Sequence, residues 1–238
     1  MSKRVASKSD TLNIIAPLIL FFYLCIGFIP NWQAVDKIAP QWVGMTLLNL
    51  VSLSVLFYYR GSLKQTISKV ITSYLSLFYT GFIFWGGLSY FYAINPTEVL
   101  VNITRQVNVL LMFLSMAILL FNQKNKARFI SWAISIILSV EVYAVLSQAL
   151  EMVNSTGVIS SGTLKGVAAN RNITAFSIAI KIPFVLYLVG LLKKTSFKVL
   201  ITALIFLALV SLSMIQSRAS FIGVGLITAG YSSLQTLI

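Results

Sequence analysis

Residues 166–192 read GVAANRNITAFSIAIKIPFVLYLVGLL. Asn170-Arg171-Asn172 stand directly before an apolar run, and Lys181 lies within that run. From 172 to 192, at about 1.5 Å per residue, a helix reaches roughly 30 Å, the thickness of a hydrocarbon core. Runs of this kind recur along the whole chain. Its 238 residues are 58% hydrophobic and 10% charged, against about 25% charged in a soluble domain. That deficit is too large for a water-facing surface. The expected fold class is therefore all-α, a polytopic transmembrane helical bundle forming one transmembrane domain over 1–238.

Eight apolar segments are expected, at about 12–30, 41–59, 70–92, 101–121, 129–150, 172–192, 198–216 and 220–238. The basic residues sort the connections between them. Lys3, Arg4 and Lys8 precede the first segment. Arg60, Lys64 and Lys69 follow the second, Lys124, Lys126 and Arg128 the fourth, and Lys193, Lys194 and Lys198 the sixth. The opposite connections carry only Lys37, Lys165, Arg171 and Arg218. This alternation fits the positive-inside rule with a cytoplasmic N-terminus, and it explains the net charge of +13 without nucleic acid. The first segment reads as an uncleaved span, since no small-x-small site follows its basic start. The longest connection, about 151–171, is rich in Gly, Ser and Asn and is expected outside.

The chain has one cysteine, Cys25, and no histidine. The first excludes an internal disulfide. The second removes the commonest general base and zinc ligand. No glycine-rich nucleotide loop, catalytic carboxylate pair or metal-spaced cluster is present. The turn FYAINPTE (91–98) is an ordinary helix start, with Asn95 or Thr97 as cap. Asn-x-Thr/Ser triplets at Asn102, Asn154 and Asn172 are read as chance.

Five ionisable residues fall in or at the edge of spans, where each is costly unless it faces a partner or water: Arg105, Glu141, Arg171, Lys181 and Arg218. Arg105 is expected about one turn inside the fourth span, and Arg171 and Arg218 at the outer mouths of the sixth and eighth. Two readings of these arginines stand open. They anchor at lipid headgroups, or they grip an external anion. The orientation bias opposes outward arginines, and hydrogen-bonding side chains flank two of them, Asn170 and Asn172 beside Arg171, and Gln216, Ser217 and Ser220 beside Arg218. A planar guanidinium matches phosphate oxygens in pairs, and a helix N-terminus adds free N–H groups. Glu141 and Lys181 are expected at matching depths on consecutive spans, side by side. Three roles stay open for them: a structural ion pair, a second phosphate contact through Lys181, or a proton relay.

The strings WGGLSYFYAINP (85–96), GVAANRNITA (166–175) and SMIQSRASFIG (213–223), in this order and outward placement, resemble the O-antigen ligase family. The resemblance covers the chain from about residue 80 onward. It implies a multi-pass glycosyltransferase of the bacterial inner membrane, part of lipopolysaccharide biosynthesis in the cell envelope. Such an enzyme acts on the periplasmic face without nucleotide sugar, cofactor or metal. The donor would be a glycan on undecaprenyl pyrophosphate, and the acceptor the lipid A core or a growing polysaccharide. Arg171 and Arg218 match the family's pyrophosphate-holding arginines, and Asn170, Asn172, Arg105 and Lys181 complete the expected binding set. Family ligases place a histidine base in a large external loop, which this sequence lacks. The chain is therefore expected to be a front portion that is inactive alone. The rivals are a polymerase of the same family, a transporter or flippase for an anionic lipid-linked sugar, and a structural membrane subunit. The sequence shows neither the internal repeats nor the paired broken helices common in transporters.

Overall fold

The computed structural model describes residues 2–30, 32, 36, 38–121, 123, 125–160, 162–167, 170–217 and 223–225. Among them every regular element is helical, and there is no strand. They fall into two compact units, divided between Lys124 and Asn125.

The first unit holds five helices: α1 (Ser2–Cys25), α2 (Ala39–Tyr58), α3 (Arg60–Ile71), α4 (Tyr74–Leu88) and α5 (Pro96–Leu120). Short 3-10 turns extend α1 through Ile26–Phe28 and α4 through Ser89–Phe91. Local chemistry sets the helix starts. Pro40 sits in the first turn of α2, where its missing N–H costs nothing. Asn95 caps α5 by accepting from the Glu98 N–H at 3.3 Å, with Pro96 opening the helix. This is one of the two caps expected from the sequence.

Helix α5 is the hub, with α1, α2, α3 and α4 all packed on it. Polar side chains join three of these helices inside the unit. The Tyr23 hydroxyl of α1 donates to Asn49 Oδ1 at 2.7 Å and lies 3.0 Å from Ser52 Oγ, both on α2. Asn49 Nδ2 donates in turn to the Asn108 backbone carbonyl and Oδ1 of α5, at 3.0 and 2.9 Å. Such bonds hold helices together where lipid gives no hydrophobic drive for association.

Residue pairs also fix helix direction. The contacts 36–105, 46–108 and 49–108 advance together, so α2 and α5 run the same way. Tyr79 of α4 donates to Gln106, while Gly87 lies against Ile103, so α4 runs against α5. The segment expected as one straight span over 70–92 differs from this. Helix α3 ends at Ile71, Ser73 caps α4 by accepting from the Ser76 N–H, and α3 meets α4 and its 3-10 turn at a bend of 66°.

The second unit holds α6 (Lys126–Thr156), α7 (Arg171–Leu191) and α8 (Thr195–Ile215), each packed on the other two. Leu138, Val142, Val145 and Ala149 of α6 recur at helical spacing and meet Ala175, Ile178, Ala179, Ile182, Val185 and Leu188 of α7. Ala149, Ala175, Ala179 and Ala208 keep the backbones close, as small residues do in membrane bundles. Helix α6 runs past its expected end at 150 and stops at Gly157, whose φ of 70° suits glycine.

Among the described residues six helices are long and apolar enough to cross a membrane, seven if the bent α3–α4 pair counts as one span. Their exposed faces agree with that: Phe78, Phe84 and Trp85 of α4 and Phe206 of α8 all point outward. An apolar surface of this extent needs lipid or protein to cover it. The expected eighth segment, 220–238, lies outside the described residues except at 223–225.

Candidate functional site

The motif Asn170-Arg171-Asn172 opens α7. The Asn170 side-chain oxygen accepts from the N–H groups of Asn172 and Ile173 at 2.9 and 3.4 Å. Its role in the structure is thus that of an N-cap. This changes the expected chemistry of the helix mouth, since two of the N–H groups available to an anion are already satisfied. The Arg171 N–H remains, and so does its guanidinium. That side chain is exposed and has no hydrogen-bond or ion-pair partner among the described residues. Asn172 is likewise exposed.

The loop behind Arg171 is tied down. Gln148 of α6 accepts from the N–H groups of Lys165 and Gly166 at 3.2 and 3.0 Å and donates to the Gly166 carbonyl at 3.3 Å. Leu164 is fully buried in the core of the unit. The Thr174 hydroxyl donates to the Lys165 carbonyl. Gly166 has a φ of +54°, and a Cβ there would meet Thr174 Cγ2 at 2.7 Å. Only glycine fits both conditions. Lys165 and Gly166 are thus bonded to α6 and α7, and Arg171 projects from the capped start of α7.

Deeper in the same unit, Lys181 and Glu141 meet as expected, and each stands at the midpoint of its helix. Lys181 Nζ donates to Glu141 Oε1 and Oε2 at 2.9 and 3.0 Å, to the Ser177 carbonyl at 3.1 Å and to Ser177 Oγ. Ser177 Oγ also donates to Glu141 Oε1 at 2.8 Å. Both charged side chains are only about one-seventh exposed, at 14% and 13%. An ammonium has three donors, and these partners occupy them. Such saturation speaks for a structural clamp between α6 and α7 more than for a phosphate contact.

Arg105 belongs to the first unit. Because α5 begins at Pro96, Arg105 lies about two and a half turns inside the helix, not one. Its Nη2 donates to Asp36 Oδ2 at 2.7 Å, and its guanidinium lies 5.6 Å from the Trp42 ring centre. Arg171 and Lys181 belong to the second unit. Arg218 lies outside the described residues.

Sequence reasoning missed Asp36, Trp42, Gln148 and Ser177. Asp36 carried the one available signal, as an acidic residue in a connection beside spans that hold an unpaired arginine. Among the described residues no cluster of histidine, cysteine and carboxylates could hold a metal. Set against protein-family models, curated proteins and solved structures, the chain matches none.

Proposed function

We propose that the chain supplies the donor-binding part of a membrane glycosyltransferase of O-antigen ligase type, with Arg171 gripping the pyrophosphate of an undecaprenyl-linked glycan at the periplasmic face of a bacterial inner membrane. The observation that carries this reading is the Arg171 mouth: an exposed guanidinium, without a partner among the described residues, on a helix start that Asn170 caps. The motif strings around Arg171 and Arg218 support it. Transfer would join an acceptor hydroxyl oxygen to the anomeric carbon of the glycan. The bond from that carbon to pyrophosphate breaks, the pyrophosphate leaves on its lipid, and the hydroxyl proton passes to a base. Guanidinium groups aimed at the pyrophosphate stabilise the charge that develops on it. The base is not an imidazole of this chain, which has no histidine. Lipid A core is the proposed acceptor, and a growing polysaccharide would make the same chemistry a polymerase.

A second reading, a transporter for an anionic lipid-linked sugar, rests on the buried Lys181–Glu141 pair at mid-helix, the kind of group that marks substrate pathways in membranes. One experiment separates the two. Undecaprenyl pyrophosphate binding to the purified protein is measured by native mass spectrometry, beside glycan transfer and glycolipid flipping in proteoliposomes. Arg171→Ala should weaken binding about ten- to a hundredfold, the value of a charge-assisted hydrogen bond. Arg171→Lys should recover only part of that loss, because the bidentate fork is gone. Unchanged binding by both Arg171→Ala and Arg218→Ala would return these residues to headgroup anchoring. Glycolipid flipping by the purified chain would favour the transporter, whether or not transfer is seen.

A further inference from the structure

A cleft of about 570 Å³ opens between α2 and α5 in the first unit. Val43 and Leu47 of α2 and Leu100 and Val101 of α5 form its apolar walls, and Thr46 and Asn108 lie among its lining residues. Asp36 and Arg105 also line it. This volume lies within the ordinary range for ligand sites, and the cleft belongs to a helix pair fixed by the Asn49–Asn108 bonds.

The two charged residues are only partly spent on each other. Arg105 uses Nη2 for Asp36, and its Nε and Nη1 have no hydrogen-bond partner among the described residues. Asp36 Oδ1 accepts from the Ile38 N–H at 3.1 Å, which fixes the carboxylate in place. The Asp36 side chain nevertheless stays 47% exposed, and that of Arg105 31%. A carboxyl oxygen offers two lone pairs, so Asp36 keeps acceptor capacity. The cleft thus presents a cation with free donors beside an anion with free acceptors, next to apolar walls sized for a hydrocarbon chain.

We propose that this cleft binds a phospholipid with a phosphoethanolamine head group. The phosphate takes Arg105, the primary ammonium takes Asp36, and an acyl chain lies along Val43, Leu47, Leu100 and Val101. Charge complementarity selects this occupant. An anionic glycerol head group would be attracted by Arg105 but repelled by Asp36. A choline head group carries a cation without N–H donors, so it cannot hydrogen-bond the carboxylate. Only a zwitterion with a donating ammonium answers both side chains. The proposal stands apart from the transferase reading, which concerns Arg171 in the other unit.

The test uses the whole chain in nanodiscs, with a small fraction of lipid brominated on its acyl chains. Bromine quenches nearby tryptophan, and Trp42 lines the cleft. The signal of a Trp42→Phe protein subtracts the other three tryptophans. Brominated phosphatidylethanolamine should quench Trp42 at about a threefold lower fraction than brominated phosphatidylglycerol or phosphatidylcholine, the scale of a partly exposed ion pair. Asp36→Asn keeps the side-chain shape and the acceptor for Ile38. It should erase the preference over choline and turn the preference over glycerol around. Arg105→Gln should weaken quenching by all three lipids, since each carries the phosphate that Arg105 would hold. Equal quenching by all three lipids in the unaltered protein overturns the proposal. So does a preference that Asp36→Asn leaves intact, and that variant decides the matter even if Arg105→Gln fails to fold.

Discussion

Lys181 shows how a single residue can announce its partner. A charge at the midpoint of an apolar helix is too costly to leave alone, and Glu141 is the matching charge on the preceding helix. Their pairing was legible for that reason. Their bridge, Ser177, was not, because a neutral hydroxyl can always bond its own helix and so raises no demand. Arg105 raised the same demand, but its partner Asp36 lies 69 positions away in a polar connection, where a carboxylate needs no explanation. The energetics of the Glu141–Lys181 pair follow from its burial. Glu141→Leu or Lys181→Met alone should each destabilise the protein by about 3–5 kcal/mol, since each leaves one buried charge uncompensated. Glu141→Leu with Lys181→Met should cost much less than either single change, because no charge is left behind. A double-mutant cycle measured by unfolding in mixed micelles checks this. Additive costs would mean that the two charges do not depend on each other.

At the scale of elements, the expected segments match α2, α5, α7 and α8 to within about five residues at either end, because long apolar runs and caps such as Asn95 are local signals, while α1 starts ten residues earlier than expected and α6 ends six later. The break between α3 and α4 was not legible. Residues 60–71 and 74–91 form one continuous stretch without proline, and nothing in Thr72-Ser73 demands a 66° turn. The cause shows once the faces are known. Arg60, Lys64 and Lys69 of α3 are exposed, while Leu63, Thr66 and Val70 are buried. This narrow apolar stripe with a basic opposite face suits a membrane interface better than a crossing. The α1–α2–α5 join was equally hidden, since Tyr23, Asn49 and Asn108 are uncharged. Its importance is testable. Asn49→Leu removes the acceptor of the Tyr23 hydroxyl and the donor to Asn108, and it should cost about 1–3 kcal/mol. Thr46→Val, which removes two exposed bonds of one hydroxyl, to the Trp42 carbonyl at 2.9 Å within α2 and to Asn108 Oδ1 at 3.3 Å, should cost less. Thermal unfolding of the two variants in one detergent makes the comparison, and equal losses would deny the buried bonds any special part.

For the whole molecule, helix directions bear on topology without any appeal to charge. In the first unit α2 and α5 run the same way and α4 runs against them. If α2 and α5 both cross the membrane, the chain between them must return once, and α4 with its 3-10 turn is the segment that can do it. Its span of 74–91 at 1.5 Å per residue reaches about 27 Å, enough for a thin or locally adapted bilayer. Charge then gives the same answer from an independent direction. Helices α2 and α5 both end at basic clusters, Arg60-Lys64-Lys69 and Lys124-Lys126-Arg128, and in the second unit α7 ends and α8 begins at Lys193-Lys194-Lys198. One crossing by α3–α4 brings the ends of α2 and α5 to one side, and crossings by α6 and α7 would return the chain to that side at Lys193, as the positive-inside rule requires. We therefore expect the basic ends in the cytoplasm and the 157–170 loop outside. In a Cys25→Ala background, single cysteines at Lys64, Ile94, Ser155 and Lys193 are treated with an impermeant maleimide. Ile94 and Ser155 should react from outside intact cells, and Lys64 and Lys193 only in inverted vesicles. Labelling of Lys64 and Ile94 from the same side would make α3–α4 a re-entrant loop. Helices α2 and α5 could then not both cross in the direction the structure gives them, and the charge alternation would lose its meaning.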